Sequence, residues 1–174
     1  MRKNQHGRTR VQYPLVVVAH NIRSAHNVGS IIRTCECLGV SEIVFTGYTP
    51  YPKLPYDNRL PHIINKLSTR IAKTSLGAEK NISYRYESDI YEYISFAKQD
   101  GFMVLALEQD DNSVYLEKFA LTGKSVIILG NEVEGIEKSV LNECDQVLEI
   151  EMQGEKESLN VSVAAGIAIY KLLH

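Results

Sequence analysis

Few of the features that mark membrane or secreted proteins are present in this chain of 174 residues. No apolar run approaches the roughly 20 residues that span a bilayer. The basic N-terminus is not followed by the apolar segment of a secretory signal. The sequence also shows no internal repeat and no low-complexity tract. These absences predict a protein that has no membrane partner and is not exported.

Cysteine is scarce, and this excludes a disulfide framework. The three cysteines are odd in number, and Cys35 and Cys37 are too close in sequence to form an easy bridge. A zinc site at Cys35 and Cys37 would need two more ligands, and no nearby pair of His or Cys supplies them. The sequence therefore predicts a reduced, cytoplasmic protein without a metal site.

The composition is that of a globular domain, but the charge is divided unevenly. Hydrophobic residues make up 44% of the chain, and the net charge is −2. Residues 1–80 contain 12 Lys and Arg against 4 Asp and Glu, whereas residues 81–174 contain 7 against 17. We expect a single domain at 14–174 after a basic, flexible arm at 1–13. The basic half predicts a positive face for phosphates, unless folding mixes the charges in space.

Short apolar runs of strand length alternate along the chain with longer segments of helical pattern. Apolar-rich runs, several of them uniformly apolar, predict strands at 15–19, 42–46, 82–86, 102–107, 125–129 and 146–150. Helical patterns lie at 27–38, 60–72, 88–99, 136–142 and 159–172. Strands without a polar face, separated by segments of helix length, are typical of a parallel sheet covered on both sides. The predicted fold class is α/β, with a mainly parallel sheet of about six strands flanked by helices.

The segment at 47–61 is predicted to be a long loop. Four prolines within twelve residues exclude a regular helix or a central strand there. The loop offers positive charge and stacking surfaces of the kind that RNA favours, at Lys53, Arg59, Tyr51 and Tyr56. A surface loop without function is the alternative.

Three short segments that follow predicted strands contain candidate functional residues. They are Asn27 to Arg33, Leu129 to Gly135, and Ser158 to Asn160. Ligands of open α/β sheets bind beyond the carboxyl ends of the strands. The second segment is neither a P-loop nor a dinucleotide fingerprint. Taken alone, each segment is also compatible with helix caps and tight turns, with Asn27 and Ser158 as the N-caps.

Taken in this order, the segments resemble the three signature motifs of the SpoU (TrmH-like) RNA 2′-O-methyltransferases of the SPOUT superfamily. The resemblance covers the chain from about Pro14 to the C-terminus. One departure is Glu151, because the family commonly has Ile-Pro-Met where this chain has Ile-Glu-Met. The matching residues are Asn27, Gly29 and Arg33-Thr34; Leu129-Gly130-Asn131-Glu132; and Ser158-Leu159-Asn160-Val161-Ser162, followed by Ala164-Ala165.

The resemblance implies an enzyme that uses S-adenosylmethionine to methylate a ribose 2′-hydroxyl in RNA. It also implies a deep C-terminal trefoil knot and an active homodimer. The catalytic residues that it implies are Asn27, Arg33, Glu132, Ser158 and Asn160. The residues that it implies for cofactor binding are Leu107, Gly130, Ile150, Met152, Ser158 and Leu159.

This resemblance implicates Arg33 in handling the 2′-hydroxyl, sometimes as the general base. Deprotonating a guanidinium near neutral pH would cost about 9 kcal/mol, from a pKa near 13.8. A charged Arg33 that holds the adjacent phosphate and stabilises the developing alkoxide is physically easier. Glu132 is expected to lie near Arg33 and to orient its guanidinium.

The sequence leaves the RNA target open. The compact size resembles that of tRNA-modifying members, which favours tRNA over rRNA, and Lys73 and Ser75 are further candidate RNA contacts. Three alternatives remain. The chain could be a non-catalytic RNA-binding module on the same fold, an unrelated α/β enzyme with a nucleotide cofactor, or a member of the superfamily that methylates a base nitrogen.

Overall fold

The computed structural model of the protein describes residues 13–174. Seven parallel strands form one sheet in the order β3-β2-β1-β6-β4-β7-β5. The strands are β1 (Tyr13–His20), β2 (Val40–Thr46), β3 (Ser83–Glu87), β4 (Met103–Leu107), β5 (Val114–Tyr115), β6 (Ser125–Leu129) and β7 (Gln146–Glu149). The α-helices are α1 (Ala25–Leu38), α2 (Pro61–Ser75), α3 (Ile90–Gln99), α4 (Lys138–Leu141) and α5 (Val161–Leu173). The predicted arm at 1–13 lies outside the described residues, apart from the backbone of Tyr13.

The predicted α/β class is confirmed, with two corrections to the elements. All six predicted strands are present, and β5 is a seventh, paired with β7. β5 was not predicted because its two residues lie in a polar stretch without an apolar run. Helix α4 is much shorter than the predicted 136–142, because a tight turn and an extended Glu137 come before it. Among residues 13–174, no helix combines the length and the apolar character needed to cross a bilayer.

Strand β1 shows why the sheet is apolar on both faces. Leu15, Val17 and Ala19 belong to a core cluster shared with α1, α2 and α5, whereas Val16 and Val18 belong to one shared with α3 and α4. All five side chains are at most 5% exposed. Because neither face of the strand meets water, its sequence is a continuous apolar run rather than an alternating one.

The strand order brings two of the candidate segments together. From β1 the chain continues to β2 and β3 on one side, and then crosses to β4 on the other side of β6. β1 and β6 are direct neighbours, so the loops that follow them lie side by side at the carboxyl edge of the sheet. The winding direction reverses at this point, which is where open α/β sheets bind ligands.

Gly29 allows α1 and α2 to pack closely. A Cβ atom at this position would lie 2.3 Å from the carbonyl oxygen of Ile71 and 2.1 Å from Oγ1 of Thr74. The Thr74 hydroxyl also donates a hydrogen bond of 2.8 Å to the carbonyl of His26. The glycine of the first motif therefore has a packing function between two helices.

We expect Gly29→Ala to lower the free energy of unfolding by about 2 kcal/mol, because the backbone of α2 would have to move away from α1. Urea unfolding of the full chain measures this change. Gly154→Ala is the matched control, since a Cβ there meets no atom within 4 Å. It should change the stability by less than about 0.5 kcal/mol. Equal stability of both variants would contradict the close helix contact.

Candidate active site

A cavity lies at the carboxyl ends of β4, β6 and β7. It has a volume of about 160 Å³ and is open on one side. Its walls combine apolar side chains, such as Leu129 and Val161, with the carboxylates Glu108 and Glu132. The cavity is lined by all six residues predicted to hold the cofactor, namely Leu107, Gly130, Ile150, Met152, Ser158 and Leu159.

The second motif forms a tight turn over one wall of this cavity. Asn131 and Gly135 exchange two backbone hydrogen bonds of 3.1 Å, and Oδ1 of Asn131 accepts from the N–H groups of Val133 and Glu134. A Cβ on Gly130 would lie 2.7 Å from the carbonyl carbon of Gly135. Glycine is therefore required by the turn itself as well as by any ligand in the cavity.

Glu108 was not identified from the sequence, although it supports this turn. Its carboxylate accepts hydrogen bonds from the N–H groups of Ile136, at 2.9 Å, and Gln109, at 3.0 Å. The signal that could have found Glu108 is its position, since it is an acidic residue directly after an apolar strand.

Hydrogen bonds join the three motifs through Glu132, which lines the cavity. Oε1 of Glu132 accepts from Nδ2 of Asn27 at 2.8 Å, and Oδ1 of Asn27 accepts from Nδ2 of Asn160 at 3.2 Å. Glu132 also accepts from the N–H groups of Arg23, at 2.9 Å, and Ser24, at 3.1 Å. Residues more than 100 positions apart in the sequence thus form one hydrogen-bonded group.

Glu132 is held in its ionised form. Partial burial raises the pKa of Glu132, but hydrogen bonds from the Arg23 N–H, the Asn27 amide and the Ser24 N–H outweigh this effect. The pKa of the carboxyl group lies below its ordinary value, so Glu132 carries a negative charge at neutral pH.

The predicted pairing of Glu132 with Arg33 is not found within residues 13–174. The Glu132 carboxylate is instead bonded to the start of α1, where unpaired N–H groups are available. Arg33 is exposed on α1 and has no hydrogen-bond or salt-bridge partner in the part of the chain that the structure describes.

Both predicted helix caps were wrong, by three residues for α1 and by two residues for α5. Ser24 caps α1, with its hydroxyl accepting from the N–H of Asn27. Asn160 caps α5, with Oδ1 accepting from the N–H of Ser162 at 2.9 Å. Asn27 is therefore inside its helix, and its amide remains available for Glu132. Ser158 precedes the cap and lines the cavity.

The sequence model of the SpoU rRNA methylase family matches residues 14–170. The chain belongs to this family. The resemblance that the motifs predicted is thereby confirmed, together with the enzyme class of an RNA methyltransferase that depends on S-adenosylmethionine.

Relatives of the SpoU family match most of the chain. The tRNA (guanosine(18)-2′-O)-methyltransferase of Thermus thermophilus is 29% identical over 93% of this chain and 75% of that protein. The enzyme of the same name from Aquifex aeolicus is 27% identical over 92% of this chain and 69% of that protein. The crystal structure of the A. aeolicus TrmH/SpoU tRNA modifying enzyme superposes with a TM-score of 0.77 and 26% identity, covering 94% of this chain and 76% of that one.

A polar network that is buried at His20 and Thr46 and exposed at Glu137 lies next to the SpoU site. His20, at the end of β1, lies with Nδ1 2.7 Å from the Thr46 hydroxyl and with Nε2 3.1 Å from Oε2 of Glu137. Asn21 donates to Oε1 of Glu137 at 2.8 Å. The network ties the ends of β1 and β2 to the segment that follows the second motif. No sequence pattern indicates this network, because its residues are scattered along the chain and belong to no motif.

His20 is predicted to make the stability of the protein dependent on pH. Burial lowers the pKa of His20 below its ordinary value of 6.5, although Glu137 partly offsets this effect. Below about pH 6.5 His20 binds a proton in the unfolded chain, whereas in the folded chain it stays neutral to a lower pH. Stability should therefore fall as the pH drops from 6.5 towards the folded pKa. Urea unfolding at a series of pH values measures this slope.

Substitutions at His20 and His62 separate this effect from other titrations. His20→Gln should flatten the slope below about pH 6.5. The control His62→Gln, at an exposed position on α2, should leave the slope unchanged. A steep slope that persists in His20→Gln would assign the pH dependence to another group.

Two of the four residues that were predicted to contact RNA in the loop at 47–61 instead stabilise the loop itself. The guanidinium of Arg59 lies 3.5 Å from the ring centroid of Tyr51, pairs with Asp57, and donates to two backbone carbonyls. Tyr51 also stacks on Tyr86, with ring centroids 4.7 Å apart. Tyr56, in contrast, is 95% exposed. The prediction of a loop was correct, but Arg59 and Tyr51 are structural residues within it.

Proposed function

We propose that this protein methylates a ribose 2′-hydroxyl in tRNA. The observation that carries this proposal is the hydrogen-bonded group of Asn27, Glu132 and Asn160 beside a cavity lined by all six candidate cofactor residues. The names of the relatives from T. thermophilus and A. aeolicus support tRNA as the substrate. An rRNA substrate is the second candidate, because the 23S rRNA (guanosine-2′-O-)-methyltransferase RlmB of Acinetobacter baylyi is 25% identical, although the chain spans only 58% of it.

The cavity suits S-adenosylmethionine in its chemistry. The side chains of Leu129, Ile150 and Leu159 offer apolar surface for an adenine ring. Glu108 and Glu132 offer carboxylates at the same cavity for hydroxyl groups or for positive charge. When bound there, the cofactor supplies an activated methyl group.

The residues of the chain position the nucleophile. Glu132 fixes Asn27, and Asn27 fixes Asn160, so these amides form a preorganised polar edge to the cavity. Arg33 remains charged, holds the phosphate next to the target ribose, and stabilises the alkoxide as the 2′-hydroxyl loses its proton. Ser158 lies at the cavity and contacts the transferring group.

A homodimer is part of the proposal. Helix α5 has apolar residues at spacings of three and four positions on an outer face, where Val163 is 51%, Ile167 43% and Tyr170 58% exposed. An exposed apolar stripe of this kind is typical of an interface. Because Arg33 contacts neither Glu132 nor Asn160 within one chain, a second copy would complete the site. Light scattering should give twice the chain mass of 19.6 kDa.

We also propose the deep C-terminal knot and a cytoplasmic location. The knot is supported by Gln109, whose side-chain amide donates to the carbonyl of Glu157 at 2.8 Å and ties the loop before α5 to the loop after β4. The location is supported by the three cysteines, none of which forms a disulfide.

Methyl transfer from labelled S-adenosylmethionine to purified tRNA and rRNA tests the function. We expect label in the tRNA fraction, at a ribose that resists alkaline cleavage on its 3′ side. Label in rRNA alone would select the second candidate. RNA binding without any transfer would identify a non-catalytic module. Mapping of 2′-O-methylated nucleotides in a deletion strain would then identify the position.

A further inference from the structure

A second cavity lies beside the candidate active site, on the β2 side of β1. Its volume is about 570 Å³. The start of α1, the loop after β2, helix α2 and the end of β3 form its walls. Three arginines and a histidine line it, and the described residues contribute no Asp or Glu to its lining: the four basic residues are Arg23, His26, Arg59 and Arg70. We call this cavity the basic cleft.

Two of the three arginines of the basic cleft have no carboxylate partner within residues 13–174. Arg59 pairs with Asp57, and Arg85, outside the cleft, pairs with Glu42 and Glu87. The side chains of Arg23 and Arg70 have no hydrogen-bond or salt-bridge partner within residues 13–174. Two guanidinium groups without carboxylate partners in one cavity favour an anion that accepts several hydrogen bonds, such as a phosphate.

Tyr48 provides a fixed aromatic surface at the same cavity. Its hydroxyl accepts a hydrogen bond of 2.7 Å from the buried Asn131, and its backbone N–H donates to Oδ1 of Asn21 at 3.2 Å. The side chain is nevertheless 57% exposed. A ring that is held at its hydroxyl and belongs to a residue more than half exposed suits stacking by a nucleobase.

The basic cleft and the candidate active site share a wall. The backbone N–H groups of Arg23 and Ser24 bind Glu132, which also holds Asn27 at the first cavity. A phosphate at the guanidinium of Arg23 would therefore lie next to the place where the ribose is methylated.

We infer that the basic cleft binds a single nucleotide of the RNA adjacent to the methylated one, with its phosphate at Arg23 and Arg70 and its base stacked on Tyr48. This inference rests on the proposed function, since it takes the RNA substrate as the ligand. It assigns to Tyr48, Arg23 and Arg70 the positioning of the strand, so that the neighbouring ribose enters the active site.

Fluorescence anisotropy of a labelled single-stranded oligoribonucleotide of about 15 residues tests this inference on the full chain. The double variant R23Q/R70Q should bind about 20-fold more weakly at low salt. The slope of the logarithm of its affinity against the logarithm of the salt concentration should become shallower by about 1.4, which corresponds to two lost phosphate contacts on a single strand.

A matched double variant controls for the loss of net charge. K80Q/K118Q removes the same two positive charges at positions outside the cleft lining, after α2 and after β5. It should bind the oligoribonucleotide within about twofold of the parent chain. An equal loss of affinity in the two double variants would overturn the inference, because it would show binding through overall charge.

Substitutions at Tyr48 test the base contact. Tyr48→Leu should weaken binding by about 10-fold, whereas Tyr48→Phe, which keeps the ring, should retain the affinity within about threefold. Equal affinity of Tyr48→Leu and the parent would overturn the stacking part of the inference.

Titration with S-adenosylmethionine separates this inference from the proposed function. Calorimetry should give the parent affinity for R23Q/R70Q, which shows that the variant is folded and that the first cavity is intact. If the parent chain binds RNA through the cleft but neither binds the methyl donor nor transfers a methyl group, the proposed function fails while the cleft stands. If it transfers methyl groups and R23Q/R70Q keeps full RNA affinity, the inference alone fails.

Discussion

Arg33→Ala should reduce methyl transfer to RNA by about 1,000-fold, because the variant lacks the cation that stabilises the developing alkoxide. The side chain is exposed and has no partner within the described residues, so its removal should change the free energy of unfolding by less than about 0.5 kcal/mol. Single-turnover methyl transfer with saturating S-adenosylmethionine measures the effect, and calorimetry should show an unchanged affinity for the methyl donor.

Two further variants define the role of Arg33. Arg33→Lys keeps the charge but loses the planar fork, and it should recover only part of the activity if a phosphate is held bidentately. Lys80→Ala, an exposed cation after α2, should retain activity within about twofold. Transfer by Arg33→Ala at the parent rate would remove Arg33 from the mechanism.

Glu132→Ala should lower both activity and stability. The carboxylate holds the Arg23 and Ser24 N–H groups and the Asn27 amide, so its loss leaves these donors without their acceptor and releases Asn27. We expect a loss of about 2 kcal/mol in the free energy of unfolding and of about 100-fold in the rate of methyl transfer. Urea unfolding and single-turnover kinetics measure these two changes.

Glu134→Ala is the matched control, because it removes a carboxylate from the same turn. Glu134 is exposed, and its hydrogen bond to Oδ1 of Asn131 is donated by its backbone N–H rather than made by its side chain. The free energy of unfolding of this variant should stay within about 0.5 kcal/mol of that of the parent.

The effect of Glu132 on stability should depend on pH. Since the pKa of Glu132 is lower in the folded chain than in the unfolded chain, its contribution to stability is present above the unfolded pKa and is lost as the pH falls through the folded value. Glu132→Ala should therefore lose less stability on acidification than the parent does.

Much of the fold could be predicted because buried parallel strands have a strong local signal. The run Ser125–Leu129 is apolar at four of five positions and fully surrounded by protein, so its sequence alone indicates a central strand. β5 lacked this signal, since two residues at the edge of the sheet bury little apolar surface. The helix starts were misplaced because several polar residues near each start could serve as the N-cap.

The candidate site could be predicted only in part. The motifs correctly indicated the family and the residues that line one cavity. They did not indicate Glu108, the network of His20 with Glu137, or the partner of Glu132. Each of these depends on contacts between loops that follow different strands, and such contacts leave no periodic pattern in the sequence.

The amino-acid sequence by itself determined the α/β class, the family and the identity of the polar residues in the three motifs, because each depends on local runs or short spacings. Only the tertiary structure decided which of these residues touch. The adjacency of β1 and β6 places Asn27 beside Glu132 and leaves Arg33 exposed, and the packing of α2 against the loop after β2 creates the basic cleft. Contacts of this kind are set by the order of strands in the sheet, which follows from how the whole core packs rather than from any one segment.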